Sequence, residues 1–148
     1  MTPEFRPVIA GDVDVVLGMM AELYAQDRIP FNADRARAAL LALLDEPRFG
    51  FASLIAARSV AVGYVVVAFG YSLEYGGRDA FIDELFVLPD QRSQGLGTAA
   101  VEFAAEYCRS HGVHALHLEV DHDNSRAQAL YRRQGFADHE RYLMTRWL

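Results

Sequence analysis

Hydrophobic residues recur at helical spacing in two segments near the start of the chain. The first segment runs from Asp12 to Tyr24, with Asp12 placed as its N-cap. Its apolar face consists of Val13, Val16, Leu17, Met20, Leu23 and Tyr24. The second segment begins after Pro30, has Asn32 in a capping position and ends before Pro47. The pattern therefore predicts two amphipathic helices ahead of the first long strand.

Three segments rich in β-branched and aromatic residues follow these helices. Phe51–Ala57 and Val62–Phe69 are separated by a short polar break at Arg58 and Ser59, which predicts an antiparallel hairpin. After a turn with two glycines, Ala80–Leu88 resumes an apolar run that a proline ends. This run is predicted to be the third strand of a meander.

The rest of the chain alternates between helical and extended patterns. A turn with Gly95 and Gly97 opens a helix, and a strand is predicted over His114–Val120. Ser125–Gln134 is predicted as a short helix and Tyr142–Leu148 as a terminal strand. Strand, helix and strand over residues 80–120 form a crossover, which places a parallel pair in an otherwise antiparallel sheet. The predicted class is α+β with a mixed sheet.

Length and composition describe one domain over residues 1–148. Of the 148 residues, 52% are hydrophobic, enough for a core that needs no disulfide or metal. No apolar run approaches the roughly 20 residues that span a bilayer, so a membrane protein is not expected. The first 30 residues lack the pattern of a targeting peptide, and Cys108 is the single cysteine. A cytoplasmic location is therefore expected.

Charge and ligand spacing exclude two further classes. Fourteen basic residues against twenty acidic ones give a net charge of −6, which disfavours nucleic acid as the main ligand. The cysteine and the five histidines show no metal-ligand spacing, so no metal site is expected. Cys108, within the helix after the glycine turn, is interpreted as a small core residue rather than a nucleophile.

A glycine-containing loop lies between the third strand and the following helix. Its residues are Arg92, Ser93, Gln94, Gly95, Leu96, Gly97 and Thr98. Glycines allow a ligand close to the backbone, and the N-terminus of a helix attracts phosphate. The same glycines also suit a plain tight turn, so the motif alone leaves both interpretations open. It lacks the third glycine of a dinucleotide fingerprint and the Gly-Lys-Ser/Thr of a P-loop.

Two motifs in order resemble the GNAT family of acyl-CoA-dependent N-acetyltransferases. The first is the Arg92–Thr98 loop after the strand Asp83–Pro89, and the second runs from Asn124 to Phe136. The resemblance covers nearly the whole chain and implies a mostly antiparallel sheet, a splayed central parallel pair and about four flanking helices. The segments Tyr71–Val87 and Tyr131–Gly135 look most like the diamine and polyamine branch, although its acidic pair is reversed here.

The resemblance implies a set of contacts to acetyl-CoA. Backbone N–H groups of the Arg92–Thr98 loop would hold the pyrophosphate. The edge of the strand would pair with the pantetheine arm, as a β-strand does, through Leu85, Phe86 and Val87. A β-bulge near Leu85 would free an N–H group for the acetyl carbonyl. Asn124 would bond the pantetheine arm, and Ala127 would leave room for it.

The resemblance also implies the catalytic and substrate-binding residues. Tyr131 would protonate the departing thiolate, although a tyrosine there could also serve only to pack a helix. Glu84 would hold the amine and take its proton, and a second carboxylate, Asp83, would bind the substrate. Adjacent strand residues point to opposite faces unless a bulge intervenes, so only one is expected to reach the amine, with Glu84 favoured. Asp27 is a further predicted substrate contact.

The predicted activity is direct transfer of acetyl from acetyl-CoA to a primary amine of a small cationic molecule. The alternatives are a protein or peptide N-acetyltransferase and a non-catalytic acyl-CoA-binding regulator. The predicted partners are the small amine and a second copy of the chain in a homodimer, without nucleic acid or membrane.

Overall fold

The computed structural model describes residues 2–148, which divide after residue 118 into two compact units. In the described residues the strands are β1 (Glu4–Pro7), β2 (Gly50–Ala57), β3 (Val60–Ser72), β4 (Gly77–Val87) and β5 (Ala115–His117). The helices are α1 (Val13–Gln26), α2 (Ala33–Asp45), α3 (Leu96–Ser110) and α4 (Ser125–Arg133). The first unit holds the sheet and α1 to α3, and the second holds α4.

The strands form one sheet in chain order from β1 to β5. Neighbours from β1 to β4 run antiparallel, whereas β4 and β5 run parallel. The parallel pairing joins only Asp79–Phe81 to Ala115–His117, and β4 then continues to Val87. The predicted α+β class with a mixed, mostly antiparallel sheet and a parallel pair is confirmed. Within residues 2–148 this pair lies at the end of the strand order and not at the centre of the sheet.

Helices cover both faces of the sheet. Because adjacent strand residues point to opposite faces, neighbouring residues of β2 pack against different helices. Leu54 packs with α1, α2 and Tyr64 in the larger buried cluster. The next residue, Ile55, packs on the other face with Leu96 and Ala100 of α3. α1 and α3 therefore pack on opposite faces of the sheet.

The two predicted N-cap residues, Asn32 and Asp12, use their side chains differently. The Asn32 side chain caps α2 by accepting a hydrogen bond from the Arg35 N–H at 3.0 Å, as predicted. Asp12 is the N-cap residue of α1, as predicted, but its side chain makes no capping hydrogen bond to the helix. Its carboxylate instead accepts the Ile9 N–H at 2.9 Å and an ion pair from Arg6 at 2.8 Å, both of which lie before the helix.

Three strands differ from the sequence pattern. Tyr142–Leu148 forms no strand. An extended segment becomes a strand only by pairing with another strand, and residues 119–148 contain no strand. The strand predicted over His114–Val120 is limited to its centre, β5. β1, which pairs with β2, was missed because its four residues are mostly exposed and carry no apolar alternation. Within residues 2–148 no helix combines the length and the apolar character that crossing a bilayer requires.

Candidate active site

An acidic cavity of about 250 Å³ lies between the end of α1 and the middle of β4. Its lining residues are Leu23, Tyr24, Asp27, Ile29, Asp83 and Glu84. Three of the six carry carboxylates and none is basic. The structure therefore brings together the three acidic residues that the sequence analysis assigned to the amine substrate.

A β-bulge places both adjacent carboxylates on this cavity. Val66 of β3 pairs with Glu84 and Val67 pairs with Ile82, so Asp83 is the extra residue in β4. Because the bulge interrupts the alternation of the strand, Asp83 and Glu84 line the same cavity. Both therefore face the cavity, whereas strict alternation would have turned one of them away from it. A bulge was predicted near Leu85, and the structure has it two residues earlier, at Asp83.

Two tyrosines hold the carboxylate of Glu84, one on each oxygen. Tyr24 of α1 donates its hydroxyl to Oε2 at 2.5 Å, and Tyr64 of β3 donates to Oε1 at 2.7 Å. Burial raises the pKa of Glu84, an effect that the two tyrosine hydrogen bonds oppose and that the charges of Asp83 and Asp27 increase. Glu84 is therefore a fixed carboxylate with a greater tendency than usual to take a proton.

The tyrosines were not assigned a role from the sequence. Tyr24 carries the helical spacing of a core residue, and Tyr64 lies in an apolar strand and is fully buried. Burial, followed by the interactions with Glu84, raises the pKa of both phenols above 10, so both stay protonated at neutral pH. No sequence signal separates such tyrosines from ordinary core aromatics, because their function depends on a contact with a distant strand.

Asp83 differs from Glu84 in having no protein partner. Within residues 2–148 its carboxylate has no hydrogen bond or ion pair, and the residue is exposed. Partial removal of the carboxyl group from water still raises the pKa of Asp83. Its carboxylate is thus available to a cation that enters the cavity.

The loop before α3 has an open backbone. Gly95 is the N-cap of α3 with φ of 80°, in the left-handed region, and Gly97 lies in the first helical turn. A Cβ added at either glycine would meet nothing within 4 Å. The N–H groups of a first turn have no acceptor within their own helix, and they share the positive end of its dipole. This geometry fits a phosphate cradle.

Arg92 fastens this loop to the strand and to α1. Its Nε donates to the Val87 carbonyl at 2.8 Å, and Nη2 donates to Oε1 of Gln26 at 2.8 Å. Its guanidinium lies 5.4 Å from the centre of the Phe86 ring. The Arg92 guanidinium is therefore engaged by protein groups and positions the loop. The main surface that the loop offers to an anion is its exposed backbone.

β4 offers an unpaired edge next to the loop. On the side of β5, pairing stops at Phe81, and no other strand within residues 2–148 takes up the edge over Leu85, Phe86 and Val87. An extended ligand with amide groups can pair with such an edge.

The remaining predicted residues lie in the second unit. The Asn124 side chain accepts the Ala127 N–H at 3.1 Å and thereby caps α4. Tyr131 is half-buried on α4, with its ring 6.0 Å from that of Phe136. Burial raises the pKa of Tyr131, so its hydroxyl keeps its proton at neutral pH.

Other reactive side chains serve packing. Cys108 is buried, and burial raises the pKa of its thiol to about 11, which suits a core residue. Nε2 of His117 lies 3.1 Å from Oδ2 of Asp79, beside the rings of Tyr75 and Phe81. Within residues 2–148, no group of three or more His, Cys, Asp or Glu side chains is arranged to hold a metal ion.

Two curated relatives are similar in sequence. Mycothiol acetyltransferase of Pseudarthrobacter chlorophenolicus is 32% identical over an alignment of 148 positions that covers 96% of this chain and 42% of the relative. Thialysine N-epsilon-acetyltransferase of Bos taurus is 35% identical over 77 residues, 52% of this chain and 45% of the relative. The chain thus spans less than half the length of these relatives.

Two solved structures are similar in fold. An integron cassette protein from the mobile metagenome of Cole Harbour Salt Marsh is 37% identical with a TM-score of 0.86, covering 97% of this chain and 90% of that one. Aminoglycoside N-acetyltransferase AAC(6')-Iy in complex with CoA is 17% identical with a TM-score of 0.84, covering 99% and 95%. At that identity the second structure shows the fold alone.

The model of the acetyltransferase (GNAT) family matches residues 17–136, which include the acidic cavity, the glycine loop and α4. The predictions of this family and of acetyl-CoA as its co-substrate are confirmed at the level of the family. On this evidence the chain belongs to the GNAT family of acetyltransferases.

Proposed function

We propose that residues 1–148 form a single acetyltransferase domain that transfers acetyl from acetyl-CoA to a primary amine of a small diamine. The acidic cavity carries this proposal, because it has three carboxylates and no basic side chain among its lining residues. A carboxylate cluster of this kind attracts and orients a molecule with two ammonium groups.

The size of the cavity favours a small acceptor over a peptide. Its volume of about 250 Å³ lies just below the roughly 300–1,000 Å³ of typical small-molecule pockets. A peptide substrate would need an extended groove instead. The thialysine relatives support an amine acceptor, since their name specifies acetylation at an epsilon nitrogen.

The proposed roles divide among the three carboxylates. Glu84 is held by two tyrosines, and its raised pKa suits it to receive a proton from the reacting ammonium. Asp83, which has no protein partner within residues 2–148, binds the distal ammonium with Asp27. The neutral amine then attacks the thioester carbonyl, the new C–N bond forms and the C–S bond breaks. The thiolate takes a proton from Tyr131, the amide nitrogen releases its surplus proton to solvent, and Tyr131 regains a proton from solvent.

The proposed donor site uses mostly backbone groups. The loop from Arg92 to Thr98 holds the pyrophosphate, and the edge of β4 pairs with the pantetheine amides. Asn124 and Ala127 are proposed as further contacts to the pantetheine arm. The open space at Gly95 and Gly97 supports this arrangement. The cytoplasmic location and the homodimer stay predictions.

Acetylation of a diamine and of a monoamine of equal chain length tests this function. We expect thiol release from acetyl-CoA with both, and a higher kcat/KM for the diamine. Asp83→Asn is expected to lower kcat/KM for the diamine by about tenfold, because one charged hydrogen bond contributes about 1.5 kcal/mol. The kcat/KM for the monoamine should not change. Equal losses for both amines would contradict binding of the distal ammonium, and activity on peptides alone would contradict the function.

Glu84→Gln tests the proton acceptor through the pH profile. A carboxylate accepts a proton only while ionised, so kcat/KM of the unmodified chain should fall as the pH drops through the pKa of Glu84, which lies above its ordinary value. The variant is expected to raise KM for the amine, to lower kcat/KM by about 100-fold near neutral pH, and to shift the profile to higher pH. The Kd for acetyl-CoA, measured by calorimetry, should not change. An unchanged profile would show that Glu84 takes no proton.

A further inference from the structure

Tyr24 is the one side chain that both lines the acidic cavity and donates a hydrogen bond to Glu84, within the part of the chain that the structure describes. The second hydroxyl on Glu84, that of Tyr64, comes from a fully buried residue outside the cavity lining. The two tyrosines therefore make the same bond to the same carboxylate, and only one of them can also touch a molecule in the cavity.

We propose that Tyr24 is a catalytic residue that relays the proton of the reacting ammonium to Glu84. This inference rests on the proposed function and concerns the same cavity. As the ammonium nitrogen gives its proton to the Tyr24 oxygen, the hydroxyl proton of Tyr24 moves to Oε2 of Glu84. The amine becomes neutral, Glu84 becomes a carboxylic acid, and Tyr24 ends the step as a phenol.

The geometry around Glu84 supports a relay. Each of its oxygens already accepts a tyrosine hydroxyl, whereas the neighbouring Asp83 has no such partner within residues 2–148. A cation entering the cavity therefore has a carboxylate available at Asp83 and a hydroxyl at Tyr24. The bond from Tyr24 to Glu84 measures 2.5 Å, at the short end of the range for a hydroxyl on a carboxylate.

The position of Tyr24 is fixed from several sides. Its ring packs edge-on against Phe31, with the ring centres 5.3 Å apart, and Asp27 follows three residues later as the C-cap of α1. The charged and titratable groups that act on Tyr24 and Glu84 are Asp27 after α1, Arg35 on α2, Tyr64 on β3 and Asp83 on β4. Burial raises the pKa of Tyr24, so the relay operates through its neutral phenol and not through a phenolate.

Tyr24→Phe and Tyr64→Phe form a matched pair that tests the relay. Each removes one hydroxyl from Glu84, so each should raise the pKa of Glu84 and move the acid limb of the kcat/KM profile to higher pH. We expect Tyr24→Phe to lower the plateau of kcat/KM for a diamine by about 100-fold, and Tyr64→Phe to lower it by less than tenfold. The Kd for acetyl-CoA should be unchanged in both.

The pH dependence separates a relay from support of the structure. As the assay approaches the pKa of the amine, about 10, more amine is already neutral and needs no relay. The deficit of Tyr24→Phe should then shrink, whereas that of Tyr64→Phe should stay constant. Equal deficits in the two variants, or a Tyr24→Phe deficit that persists unchanged at high pH, would overturn the relay.

The outcomes also separate the relay from the proposed function. If the unmodified chain acetylates amines and Glu84→Gln loses activity while the two tyrosine variants behave alike, the relay is wrong and Glu84 takes the proton directly. If the unmodified chain acetylates no amine, the proposed function fails first. Circular dichroism spectra of both variants that match the unmodified chain show that any loss does not come from unfolding.

Discussion

Tyr131→Phe is expected to lower kcat by between about tenfold and ten-thousandfold, the range for a positioned proton donor. The departing thiolate has a pKa of about 8.5, so a neighbouring phenol can protonate it as the C–S bond breaks. Burial raises the pKa of Tyr131, which keeps this proton in place at neutral pH. Steady-state kinetics with a diamine measure the effect.

The affinity for acetyl-CoA is the internal control for Tyr131→Phe. Because the hydroxyl acts mainly as the thiolate leaves, calorimetry should show a Kd near that of the unmodified chain. The ring of Tyr131 packs on Phe136, and phenylalanine keeps that contact. Full activity in the variant would mean that Tyr131 only packs α4 and that the thiolate leaves unaided.

A bulky side chain in the phosphate cradle is expected to remove measurable binding of acetyl-CoA. Gly97→Leu places a side chain above the first turn of α3, where the structure has open space. Each charged hydrogen bond lost costs about 1.5–3 kcal/mol, which is about 10- to 150-fold in Kd, and a displaced pyrophosphate loses several. Calorimetry with acetyl-CoA measures the loss.

Gly18→Leu is the matched control for this substitution. Gly18 is likewise a helical glycine with nothing within 4 Å of an added Cβ, but it is exposed, lies on α1 and is outside the loop. Both changes replace glycine by a good helix former, so neither should destabilise its helix. Equal binding of acetyl-CoA by the two folded variants would remove the cradle assignment. Gly95 is a poorer site for this test, since its φ of 80° would strain any other residue.

Local patterns predicted most of the fold of the first unit. The apolar spacing around Val16 and Leu17 places them in the core, where both are buried, and the Asn32 cap starts α2 as expected. Helical periodicity and capping act within a few residues, so they can be recognised from the sequence. The pattern was insufficient for β1 and for Tyr142–Leu148, because an extended segment becomes a strand only through a partner that is distant in sequence.

The order of the amino acids was sufficient to identify the acidic pair at Asp83 and Glu84, the glycine loop and the likeness to a family. Where the two carboxylates lie depends on the packing of the chain. A bulge against Val66 and Val67 turned both carboxylates into one cavity, and Tyr24 and Tyr64 met on Glu84 across 60 and 20 residues of sequence. Strand register and contacts between distant elements depend on how the chain packs, whereas residue type and spacing depend only on the order of the amino acids.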